Sequence, residues 1–128
     1  MTLFIKNTLS TNNHIAISNK IKSIPLFLSY FFPIIDFKNL DENYNVLEDS
    51  VSNSIQREIK YKLIQFPNND FTDFNFDFNN HFSKSLYQVF LGCLTLHEYN
   101  ISYTVNDDSF VMINDDHSPL LHNFSNSF

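Results

Sequence analysis

Glycine is almost missing from this chain: Gly92 is the single one in 128 residues. Its scarcity removes most ready-made positive-φ turns and any glycine-rich loop that cradles phosphates, so asparagine must take over much of the turn work. Cys93 is the lone cysteine, which excludes an internal disulfide and makes a reducing, cytoplasmic compartment the simpler inference. Lysine and arginine number 8 against 14 aspartates and glutamates, a formal charge of −6. Affinity for a nucleic-acid backbone comes from clustered basic side chains, so no nucleic-acid partner is expected. Long hydrophobic runs are absent too. The most apolar stretch, residues 24–37, is interrupted by Pro25, Pro33 and Asp36. It falls short of the roughly 20 residues that span a bilayer and reads as a core segment, with no membrane association. The start, Met1-Thr2-Leu3-Phe4-Ile5-Lys6, has no small-residue cleavage site and does not read as a signal peptide.

What is present is aromatic. Fifteen phenylalanines and a 43% hydrophobic content supply a large core and argue against disorder. One domain, residues 1–128, is the expectation, and a chain of this size hides roughly two-thirds of its unfolded surface.

Leu3-Phe4-Ile5-Lys6 reads as a short strand, and Ser10-Thr11-Asn12-Asn13 offers capping side chains before a helix carrying Ile15, Ile17 and Ile21. That helix should end before Pro25. Residues 30–37 form a buried strand or its approach, and residues 38–54, rich in Asn, Asp, Glu and Ser, an exposed loop or insertion. Residues 55–66 alternate as a half-buried strand with Ile59, Tyr61, Leu63 and Gln65 on one side and Lys60, Lys62 and Ile64 on the other. Pro67-Asn68-Asn69-Asp70 breaks it. Phe71, Phe74, Phe76 and Phe78, interleaved with Asp and Asn, fit an alternating strand or a docking patch, with burial in the core the commoner fate.

The stretch 81–128 holds the most ordered pattern. From Phe82, Leu86, Val89, Phe90, Cys93, Leu94 and His97 recur at the three-and-four spacing of a helix with one face on a core. Residues 101–108 break that pattern into a loop. Phe110-Val111-Met112-Ile113 and Pro119-Leu120-Leu121-His122, separated by Asn114-Asp115-Asp116-His117-Ser118, read as strand, turn, strand.

With Leu96-His97-Glu98 at the helix end, this order of parts resembles the middle of a eukaryotic-type protein kinase domain. Phe4-Ile5-Lys6 is similar to the kinase strand whose lysine contacts the nucleotide phosphates. Phe31-Phe32-Pro33-Ile34 resembles a segment of divergent kinase-like proteins of large DNA viruses. The resemblance implies a partial kinase-like α+β fold: a small N-lobe sheet with one helix (about 1–66), a hinge with a short helix (67–80), and the first helix and β-hairpin of the C-lobe (81–128).

It also implies site positions. Lys6 would be the phosphate-contacting lysine, with His14 where its glutamate partner is expected. Tyr103-Thr104-Val105 would replace His-Arg-Asp, Phe110 the metal-binding asparagine, and Asn123-Phe124-Ser125 Asp-Phe-Gly. A kinase needs a carboxylate to orient the substrate hydroxyl, and an Asp and an Asn to hold magnesium. Val105 and Phe110 can do neither, and Asn123 lacks the charge a hard cation prefers. The expectation is a truncated pseudokinase: not an enzyme, no cofactor, with ATP and magnesium as the exception to test. A kinase fold continues past this point with helices that cover the long helix. Exposed apolar surface is therefore expected there, met by a protein partner or self-association. Two rivals are an unconventional, weakly active kinase and an unrelated α+β interaction protein.

Other chemistries lack their patterns. Asp107-Asp108 and Asp115-Asp116, with His117 and His122, have neither calcium-loop nor zinc spacing and read as solvated turns. Cys93 on a helix face reads as an inert core thiol, and there is no Gly-x-Ser-x-Gly elbow.

Overall fold

A computed structural model describes residues 2–47, 59–67, 71–74, 82–105, 109–113, 118–125 and 127. The described elements are mixed α+β, the class read from the sequence. In chain order they are β1 (Thr2–Lys6), α1 (Leu9–Ile21), β2 (Asp36–Leu40), β3 (Tyr61–Gln65), β4 (Phe71–Asp73), α2 (Phe82–Glu98), β5 (Phe110–Ile113) and β6 (Leu120–Leu121), with a single 3₁₀ turn at Phe27–Ser29.

Helix α1 starts earlier than its polar cluster implies. Thr8, still extended at φ −127°, is the N-cap, and its side chain accepts from the Thr11 amide at 3.1 Å. The Thr11 hydroxyl donates back to the Lys6 carbonyl at 3.0 Å, tying strand end to helix start. Ser10 therefore lies inside the first turn, and Asn13 is released for another task. The helix ends at Ile21, before Pro25 as expected.

The N-terminal sheet is antiparallel in the order β1-β3-β2, with Lys6 and Leu40 both opposite Tyr61. Two expectations need correction here. Strand β2 takes in Lys38, Asn39 and Leu40, so the polar connection begins at Asp41; residues 48–58 lie outside the described set. The inward side of β3 is Lys62 and Ile64, not Tyr61 and Leu63. Ile64 and the following Phe66 have a partner layer in Phe32 and Ile34, and Phe66 stacks on Phe32 at 5.5 Å. Side chains alternate along a strand, so Lys62 goes in with them. Its ammonium reaches Asn39 Oδ1 and sits 4.9 Å from the Phe37 ring centre, and burial lowers its pKa.

The second sheet runs β4-β5-β6. Where the resemblance implies a hinge and a short helix, Phe71–Asp73 pairs with β5 as a strand. The alternating phenylalanine pattern prevails because Phe74 has a core to enter and Phe71 packs on Phe32 at 4.8 Å. Phe76 and Phe78 lie outside the described residues.

Phe31 and Phe32, both fully buried, join the halves by pointing into different clusters. Phe31 enters one with Ile21, Leu96, Leu121 and Phe124; Phe32 enters the other with Ile34, Ile64 and Val111. Between them the backbone bridges β6: the Phe32 amide donates to Leu121 at 2.8 Å and the Leu121 amide to Tyr30 at 2.9 Å.

Helix α2 buries Ser85, Val89, Gly92 and Leu96. This corrects the face read from the sequence, since Leu86, Phe90, Leu94 and His97 are exposed. The cause is Gly92: β6 approaches so closely that an added Cβ would lie 2.5 Å from Leu121 Cδ1. Gly92→Ala gains roughly 1 kcal/mol of helix propensity. Leu121 is fully buried and cannot step aside, so overpacking of about 1–3 kcal/mol offsets that gain. The expected result is no net stabilisation by urea denaturation. A gain of a full 1 kcal/mol would mean that β6 does not sit on the helix.

The end of α2 shows asparagine in glycine's place. Asn100 adopts φ 61°, its amide donates to His97 at 3.0 Å, and the Ile101 amide donates to Leu96 at 2.9 Å. This is a Schellman closure with Ile101 and Leu96 as its hydrophobic contact, both buried in one cluster.

Candidate functional site

The residues singled out by sequence separate into two places. Lys6 ends β1 beside an open depression of about 380 Å³ lined by Asn7, Thr8, Glu42, Lys60 and Tyr61. All of these come from the N-terminal sheet and its connections, and no described residue of the C-terminal hairpin is among them.

The second place is the junction of α1 with the C-terminal segment. His14, expected to face Lys6 in place of its glutamate partner, is instead turned here. Its Nε2 lies 3.1 Å from the His122 carbonyl, and because a carbonyl only accepts, Nε2 carries the hydrogen. Its ring meets those of His122 at 6.0 Å and Phe124 at 5.7 Å. His14 is thus no surface histidine. Burial first, and the neighbouring His122 second, push its pKa from 6.5 to about 4, against the opposing effect of the carbonyl. His122 Nδ1 in turn faces the Phe32 carbonyl at 3.3 Å, and its ring packs on Phe66 at 5.0 Å.

Asn13, one residue earlier, aims its Nδ2 at the carbonyls of Ser127 (2.7 Å), Ser125 (2.8 Å) and Phe124 (3.4 Å). No sequence signal marks these contacts, because the partners stand more than a hundred residues apart and an asparagine after Ser-Thr-Asn reads as a cap.

Of the positions implied by the resemblance, Tyr103 packs on Phe124 at 5.5 Å and donates its hydroxyl to the Ser109 carbonyl at 3.2 Å. Phe110 is 7% exposed and belongs to the core. Thr104 and Val105 face solvent. Asn123 Oδ1 accepts from the Ser125 amide at 3.1 Å and the Ser125 hydroxyl at 2.7 Å, closing its own turn. The structure therefore brings Tyr103 and Phe124 together beside the Asn123 turn and leaves Lys6 in a different depression.

This donor set does not suit a magnesium nucleotide. Asn123 spends its oxygen on Ser125, Phe110 has no donor atom, and a hard divalent cation asks for carboxylate oxygen. Among the described residues, no group of three His, Cys, Asp or Glu side chains is placed to hold a metal ion. Asp107, Asp108, Asp115, Asp116 and His117 lie outside the described residues. Cys93 is half-buried on α2, and burial pushes its thiol pKa up, away from the reactive thiolate. No described helix is long and apolar enough to cross a membrane.

Compared with known proteins, the chain matches no family model and no curated sequence.

Proposed function

We propose that this chain is a catalytically inactive, protein-kinase-like module that binds protein. The observation that carries the reading is what the posts of the resemblance do. Phe110 fills core, Tyr103 supports Phe124, and Asn123 holds its own turn, so each serves architecture where a phosphotransferase needs a ligand-facing group. The order of parts supports the scaffold side of the proposal: a small sheet with one helix, then a long helix and a hairpin. The exposed side of α2, with Leu86, Tyr87, Phe90 and Leu94, supports the binding side.

A second reading, an α+β interaction protein with no kinase relationship, is favoured by the depression beside Lys6, whose described lining includes no hairpin residue. Both readings forgo catalysis.

Thermal shift with magnesium and ATP separates them from an unconventional kinase. A ligand at a hundred times its Kd adds about 2.7 kcal/mol to the native state. At roughly 4 °C per kcal/mol that is a rise of about 10 °C. No rise is expected. A rise of that size, abolished by Lys6→Ala, would overturn the proposal in favour of a nucleotide-using enzyme.

A further inference from the structure

Helix α2 carries on its outer side a stripe that is its own complement. Leu86, Tyr87, Phe90 and Leu94 are 51%, 63%, 61% and 43% exposed. Leu86, Phe90 and Leu94 follow one another at four-residue steps, so Phe90 is the midpoint and the two leucines lie about 6 Å to either side at 1.5 Å per residue. The exposed residues between Lys84 and Glu98 include no lysine, arginine, aspartate or glutamate. At 100° per residue, Lys84 and Glu98 both border the stripe on the side of Tyr87, one near each end.

We propose that this stripe is a self-association face, occupied by a second copy of α2 running antiparallel about a two-fold axis at Phe90. The proposal rests on the reading of the chain as a protein-binding module and names the partner. In the antiparallel arrangement Leu86 meets Leu94 of the second copy, Phe90 meets its counterpart, and Lys84 comes beside Glu98 at both ends. The helix macrodipoles also oppose. A parallel pair carries the second copy's Lys84 and Glu98 to the opposite flank of the seam and so brings no opposite charges together. Charge thus selects one orientation, and the same patch serves both subunits, as a closed two-fold dimer requires.

A basic partner helix gains nothing along a stripe that lacks charge. An aromatic side chain offers about 150–250 Å², so the four exposed residues provide on the order of 400 Å² per copy. Doubled, that is about 800 Å², below the roughly 1,000 Å² that a stable interface clears, so the dimer is expected to be weak and reversible.

Sedimentation equilibrium across a concentration series tests this. The average mass should climb from 15.1 kDa toward twice that value. Phe90→Asp should weaken association at least tenfold with little change in the monomer's melting temperature, because Phe90 is mostly exposed. The charge pair gives a geometric test. Lys84→Glu and Glu98→Lys should each weaken self-association several-fold, the double variant should restore it, and the two single variants mixed should prefer each other to themselves. A monomer at every concentration overturns the proposal, as does a dimer indifferent to Phe90→Asp or to the charge exchange. Either failure leaves the inactive-module reading intact, since that reading fails on nucleotide binding instead.

Discussion

Phe124→Ala is expected to cost about 3–5 kcal/mol, the range for emptying a buried phenylalanine site. Phe124 is fully buried and holds three parts of the chain at once: His14 on α1 at 5.7 Å, Phe31 at 6.5 Å and Tyr103 at 5.5 Å. Its carbonyl is also one of the three that Asn13 ties to α1. A domain of this size is commonly stable by about 5–15 kcal/mol, so such a loss takes up a third or more of the total. Phe124→Leu, which keeps most of the apolar volume, should cost less than half as much. Guanidinium denaturation of the two variants checks this through the shift in midpoint at constant slope. A loss below about 1 kcal/mol for Phe124→Ala would mean that the C-terminal segment does not seal the junction.

The Phe124 result bears on function because the resemblance keeps only this letter of its Asp-Phe-Gly counterpart. In Asn123-Phe124-Ser125 the phenylalanine has a packing task, and Asn123 is bonded to its own neighbour. On the proposed reading, a carboxylate is missing at Val105 and Asn123 and an asparagine at Phe110, and none of these carries a folding penalty where the sites are solvent-facing, a self-closed turn and apolar core respectively.

The elements that were legible rest on local causes, whereas the end of β2 and the pairing of β4 do not. Apolar spacing marks α2, a short apolar run marks β1, alternation marks β3, and the Asn-Asp-rich break after Ile113 separates β5 from β6. Which side of an element faces inward was harder to read. On α2, Leu86, Phe90 and Leu94 are stronger hydrophobes than Ser85 and Gly92, yet the smaller residues turn inward because β6 passes too near for anything larger. On β3, Lys62 lies inward because its neighbour Ile64 has the better partner layer. Both outcomes depend on a strand that meets its partner only in three dimensions. The site followed the same division. Tyr103, Phe110 and Asn123 could be named from their order, whereas Asn13 and the His14–His122 contact join residues whose proximity no spacing encodes.

Acid should loosen this junction within a defined window. His14 is held neutral in the folded chain, its pKa depressed from 6.5 to about 4 by burial and by His122. Above pH 6.5 the imidazole is neutral whether the chain is folded or not, and its titration contributes nothing. Between pH 6.5 and about 4 the unfolded chain binds a proton that the folded chain refuses, so stability falls with falling pH. The slope approaches about 1.4 kcal/mol per pH unit in mid-window, and the summed loss is about 3 kcal/mol by pH 4. Asp41 also has a lowered pKa, through amide bonds from Asn45 and Asn43, but its loss belongs below its ordinary value of 3.8 and does not overlap. His14→Gln keeps a donor for the His122 carbonyl and removes the titration. Denaturation midpoints measured from pH 7 to pH 4 should therefore show a steep decline in the parent chain and a distinctly shallower one in His14→Gln. Equal slopes would mean that the acid sensitivity arises elsewhere and that His14 takes up its proton without breaking its contact with the hairpin.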